Sequence, residues 1–81
     1  QPMKGILMLL DLNKKQPDNV TVLATLGRLA IKTGQYDKAI GRLEKARSLD
    51  EKNNDVKCLL SIAYKETGRE KESAELAQYC K

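Results

Sequence analysis

Eighty-one residues, 41% hydrophobic and 32% charged, make one domain or part of one with a thin core, neither disordered by composition nor membrane-spanning. The net charge of +4 comes from 15 basic and 11 acidic residues, and three tyrosines are the whole aromatic content. The charges are interleaved, as in "KETGREKESAE", so no basic stripe or stacking platform for nucleic acid is present.

The first predicted helix runs from Met3 to about Asn13, with Pro2 acceptable in its first turn. Its apolar run, Ile6 to Leu10, is far short of the roughly 20 residues a membrane helix needs. No stretch resembles a signal peptide, and compartment is left open with the cytoplasm as the default. Pro17 blocks continuation, and Asn19, preceded by Asp18, offers a capping oxygen for a second helix. That helix turns Val22, Leu23, Leu26, Leu29 and Ala30 to one face and ends at Thr33, because Gly34 suits a left-handed cap.

A third helix begins near Tyr36, with Asp37 well placed in its first turn. It carries Ala39, Ile40, Leu43, Ala46 and Leu49 inward and stops in "DEKNND". The fourth starts after Asn53 or Asn54, carries Val56, Leu59, Leu60, Ala63 and Tyr64, and ends before Gly68. The fifth carries Ala74, Leu76, Ala77 and Cys80. Connections this short fold each helix back antiparallel on its predecessor, and no strand pattern interrupts them.

Cys58 and Cys80 are the only cysteines and histidine is absent, so an ordinary zinc site cannot form. One disulfide is open to them. However, Cys58 falls at an apolar helix position and Cys80 near the chain end, so both are expected to be small side chains in packing contact. No cofactor is expected. There is no glycine-rich phosphate loop and no Ser/Lys or Cys/His arrangement, so the chain does not read as an enzyme. Asp37, Glu44 and Glu66 stand among lysines on polar faces, which predicts ordinary ion pairs.

The helices repeat. Thr33-Gly34 recurs as Thr67-Gly68, and the same shift pairs Val22 with Val56, Leu26 with Leu60, Gly27 with Ser61, Ala39 with Ser73 and Ala46 with Cys80. Small matches small and apolar matches apolar. On these residues the chain resembles the tetratricopeptide repeat family, whose helix–turn–helix unit has this length. Gly27 matches the family's small residue on the first helix and Ala39 its partner on the second, while Gly34, Tyr36 and Ala46 match the turn and the positions after it. Leu23 and Ala30 stand where tryptophan and tyrosine are common in the family, Leu12 is bulky where alanine is usual, and Glu51 departs from a terminal proline.

The resemblance implies an all-α fold: an α-solenoid of antiparallel helix pairs, five helices in a right-handed superhelix. Residues 1–19 would be the second half of one repeat, 20–53 a complete repeat and 54–81 a second repeat. Gly27 and Ala39 would let the two helices of one repeat approach closely, with Ala46 giving the same room toward the next.

By the same resemblance, the first helices line a concave face that binds a protein or peptide. Its positions are Thr21, Ala24, Thr25, Arg28 and Lys32, then Asp55, Cys58, Leu59, Ile62 and Lys65. Arg28 or Lys32 would pair with an acidic side chain or a C-terminal carboxylate of the partner. The lysine and asparagine clamp that some relatives use for chaperone tails is not matched, since Ala24, Arg28 and Leu59 occupy its positions.

The function expected is a non-catalytic protein–protein interaction scaffold, without nucleic-acid partners or membrane insertion. The alternative is a structural or oligomerisation segment of a longer array. In that reading "GILMLLDL" at one end, and Leu76, Ala77 and Tyr79 at the other, are uncovered surfaces for self-association.

Overall fold

The computed structural model describes residues 2–80, with side chains from Lys4 onward; the expected inward aspect of Met3 lies outside the described residues. Five α-helices follow in chain order: α1 (Pro2–Lys15), α2 (Val20–Lys32), α3 (Tyr36–Leu49), α4 (Asn54–Glu66) and α5 (Glu70–Leu76), with a closing 3₁₀ turn at Ala77–Tyr79. Each packs on its predecessor, and α2 also touches α4, so that helix pairs stack along the chain. The fold is all-α, as the period implied.

The same local chemistry starts and stops both first helices. Asn19 accepts a hydrogen bond from the Val22 amide at 3.1 Å, and Asn53 accepts one from Val56 at 3.1 Å. Each satisfies a donor that the first helical turn leaves without a partner. At the far ends Gly34 and Gly68 take φ of 77° and 80°, the left-handed region that only glycine enters cheaply. The amides of Gln35 and Arg69 then reach back to the Ala30 and Tyr64 carbonyls at 2.8 Å, closing the same C-terminal motif twice.

The core lies between α2, α3 and α4. Leu23, Ala39, Ile40, Leu43, Ala46, Val56, Leu60, Ala63, Tyr64 and Leu76 form one buried cluster, in which Leu43, Leu60 and Val56 are the largest fully enclosed side chains. Within the first pair, α2 comes so near α3 that a Cβ on Gly27 would lie 2.5 Å from Leu43 Cγ. The close approach expected at Gly27 is therefore present, but the group that demands it is Leu43 rather than Ala39. In the second pair Ser61 and Ser73 are both buried, and each hydroxyl donates to the other residue's carbonyl, at 2.8 and 2.7 Å.

Four expectations need correction. Cys58 and Cys80 are not packing thiols: they form a disulfide between α4 and the chain's last turn, with Cα atoms 4.8 Å apart. Spacing on a helix says which face a residue occupies, not what it meets there. Leu49, expected inward, is 44% exposed, because it is the last residue of α3 and no further turn carries it onto the core. The last helix does not leave Leu76 uncovered; Leu76 joins the core and is 5% exposed. Ala74, Ala77 and Cys80 are the exposed ones. On α5 it is Ser73, not Ala74, that turns toward α4, and the 3₁₀ turn after Leu76 rotates Ala77 and Cys80 off the expected stripe. Tyr79 is half-buried under Lys57, whose Nζ lies 4.5 Å from the ring centroid.

α1 is different. None of its described side chains is buried, and Leu7 and Met8 are 59% and 67% exposed.

Candidate partner-binding face

Of the ten positions named from sequence on α2 and α4, Ala24 and Leu59 pack against the edge of the core. Thr21, Arg28, Lys32, Asp55, Ile62 and Lys65 are exposed, whereas Ala24, Thr25, Cys58 and Leu59 are half-buried. None is enclosed. Thr25 holds its hydroxyl against the α2 backbone, donating to the Thr21 carbonyl at 2.8 Å, so its methyl rather than its hydroxyl is left for a neighbour. Cys58 is held in the disulfide and brings no free thiol to this surface.

Ion pairs lie away from this face: Lys15 with Asp11, Lys45 with Asp18, and Arg69 with Glu72. Among the described residues, Arg28, Lys32, Lys65 and Asp55 form no ion pair. Ile62, which lines a surface depression with Lys65, is an exposed apolar side chain, 41% accessible.

The polar cluster on another flank has a structural role. The Tyr64 ring is buried, and its hydroxyl donates to Glu44 Oε2 at 2.6 Å. Burial first, and the carboxylate second, push the Tyr64 phenol up to about 12, because both disfavour a phenolate there. Arg69 lies over the ring at 4.5 Å and makes a two-pronged bond to Glu72, each prong 2.7 Å. That bond holds the Glu72 carboxyl below its usual range. The acidic residues expected in lysine pairs behave otherwise. Glu44 faces Arg69 at 3.9 Å, and among the described residues Asp37 and Glu66 form no ion pair.

Sequence reasoning missed two features. The Cys58–Cys80 bond had one signal available, since the pair stands one repeat length beyond Ala24 and Ala46, small positions of the preceding unit. The reciprocal bonds of Ser61 and Ser73 had the same signal, standing one repeat length beyond Gly27 and Ala39. In both, a small-for-small match conceals polar or covalent chemistry.

Among the described residues no group of three His, Cys, Asp or Glu side chains gathers as a metal site, and no helix is long and apolar enough to cross a membrane. Repeated capping, repeated glycine turns and stacked helix pairs define the class: a helical-repeat protein. The tetratricopeptide repeat model matches residues 8–60, about two thirds of the sequence, and the chain belongs to that family. No curated protein matches it. Tetratricopeptide domains generally mediate protein–protein interactions and are typically non-catalytic.

Proposed function

We propose that this chain is a protein-interaction module that holds a peptide along the outward faces of α2 and α4, with the repeats divided as residues 20–53 and 54–81. One observation carries the reading: Arg28, Lys32 and Lys65 are exposed cations without ion-pair partners among the described residues, on helices that touch, and Lys65 lines a depression with the exposed Ile62. Cations left free beside apolar surface suit a ligand that brings both a carboxylate and an apolar side chain. Thr21, Ala24, Thr25, Cys58 and Leu59 are the small or apolar positions of the same face, and Asp55 sets it off from a uniformly acidic partner.

The test is selection from a random peptide library by the parent chain and by an Arg28→Glu/Lys32→Glu variant of equal helicity. Enrichment of acidic peptides by the parent, and their loss with the variant, is the expected result. Peptides retained equally by both, or no enrichment at all, would end this reading.

A second reading, a structural segment that assembles through its end, is favoured by the exposure of Leu7 and Met8 on α1. Concentration-dependent mass distinguishes it from a monomeric peptide binder.

A further inference from the structure

The junction of α1, α2 and α3 and the junction of α3, α4 and α5 stand one repeat length apart and are filled differently. In the later junction the Tyr64 ring is buried, 4% exposed, with its hydroxyl on Glu44. Arg69 lies over that ring and binds Glu72. Every one of these groups comes from α3, α4 or the start of α5.

Counting back one repeat length removes the ring and reverses the charge. Ala30 stands at the Tyr64 position, Leu10 at Glu44, Lys38 at Glu72 and Arg42 at Leu76. The result is a partly enclosed cleft of about 230 Å³, whose apolar wall includes Leu10, Leu26 and Ala30. Its neighbours are in place, since α1 packs on α2 and α2 on α3, so the cleft lies inside the stack rather than at an end of it. An apolar cavity of about 150 Å³ takes a benzene ring. The cleft therefore has room for one ring and a small substituent.

Charge supplies an independent observation. Lys38 and Arg42 both line the cleft, and among the described residues neither forms an ion pair. Arg42 Nη1 is hidden from water and has no hydrogen-bond partner among those residues. A guanidinium N–H without an acceptor is costly where water cannot reach it, and turning it to an oxyanion in the cleft removes that cost. No carboxylate among the residues lining the cleft supplies one.

We infer that the cleft between α1, α2 and α3 binds a small aromatic carboxylate, with its ring against Ala30 and its carboxylate on Lys38 and Arg42. The ligand brings the ring and the negative charge that Tyr64 and Glu72 build into the later junction, and the chain brings the cations. A ring is favoured over an aliphatic chain because Lys38 and Arg42 are also attracted to an aromatic face. The inference is independent of the peptide-binding face on α2 and α4, for Arg28, Lys32 and Lys65 line no part of this cleft.

Benzoate is the probe, titrated into the chain and followed by amide chemical shifts. Saturable shifts at Ala30, Thr33 and Lys38 are expected, with a dissociation constant on the order of 1 mM, as suits so small a ligand. Acetate, which lacks the ring, and benzamide, which lacks the charge, should bind about tenfold more weakly. Ala30→Tyr places a ring in the cleft from within and should abolish binding. Arg42→Leu, the residue found one repeat later, leaves the apolar wall intact and should weaken binding about tenfold, which decides the matter if Ala30→Tyr fails to fold. Arg28→Glu/Lys32→Glu should bind benzoate as the parent does. Absence of saturable shifts, equal binding of acetate or benzamide, or equal binding by a folded Ala30→Tyr or by Arg42→Leu overturns the proposal. Loss of binding in Arg28→Glu/Lys32→Glu would move the site to the outward face of α2 and overturn it equally. So would a parent dimer in sedimentation that Ala30→Tyr dissolves, which would assign the cleft to a second copy.

Discussion

The two helix pairs, α2 with α3 and α4 with α5, bring backbones together by different means. The first does it by subtraction: Gly27 has no side chain, and Leu43 fills the space that results. The second does it by bonding, through the reciprocal Ser61 and Ser73 hydroxyls and the Cys58–Cys80 disulfide. The first pair has neighbours on both sides, α1 and α4, whereas the second has α3 on one side and only a short helix and a 3₁₀ turn of its own. Its seven-residue α5 is too short to hold by apolar area alone, and a helix of that length is marginal in water. Cross-links supply there what packing supplies in the first pair.

Cutting the covalent link should have the largest effect. Reduction, or a Cys58→Ser/Cys80→Ser variant, releases a closure spanning 22 residues and should cost about 3 kcal/mol on the chain-entropy estimate. Thermal unfolding with and without dithiothreitol reads this directly. Faster amide exchange should appear first in α5, with α2 and α3 little affected; equal acceleration everywhere would mean that the second pair is not separately clasped.

Gly27→Val attacks the first pair instead. Its new Cβ would fall 2.5 to 3.1 Å from three carbons of Leu43, a side chain with no free space to retreat into. Overpacking of this kind costs about 1–3 kcal/mol. A Leu43→Ala change in the same chain should recover part of the loss, as a double-mutant cycle would measure. Simple additivity of the two would break the link between these residues.

Ser61→Ala is the milder counterpart in the second pair. It keeps the small volume and removes one of two reciprocal hydrogen bonds, at a cost of about 1 kcal/mol in denaturant unfolding. If Ser61→Ala proved as costly as Gly27→Val, steric room and bonding would not be the distinction between the pairs.

The helices were legible because their signals are local. Asn19 and Asn53 cap, Gly34 and Gly68 turn, and the apolar spacing between them is helical, so each boundary needs only a few neighbouring residues. The repeat shift carried those boundaries from one unit to the next, and with them the stacked-pair fold. Legibility failed where identity depends on a residue far along the chain. Nothing near Gly27 announces Leu43 as its obstacle, and nothing near Cys58 announces Cys80 as its partner. The outward face stood between these cases: helical spacing placed Thr21, Arg28, Lys32, Asp55, Ile62 and Lys65 away from the core, but no spacing records what, if anything, binds them.

The junction between the two pairs responds to pH rather than to volume. Tyr64 of α4 donates to Glu44 of α3, and its phenol is pushed up to about 12 from an ordinary 10.0, mainly by burial. A folded-state value raised in this way means the protonated phenol is preferred in the native state. Its contribution is therefore fully present below pH 10 and is lost as pH rises from there through about 12. Thermal midpoints should fall over that window in the parent, while Tyr64→Phe, which keeps the ring beneath Arg69 but has no proton to lose, should show a flatter profile. Below that window the variant should sit slightly lower than the parent, because the bond to Glu44 is gone and Glu44 is half-exposed to water that can replace it. Parallel profiles in the two chains would mean that α3 and α4 are joined by packing alone, as α2 and α3 are, and that the change from room to bonding begins only at α5.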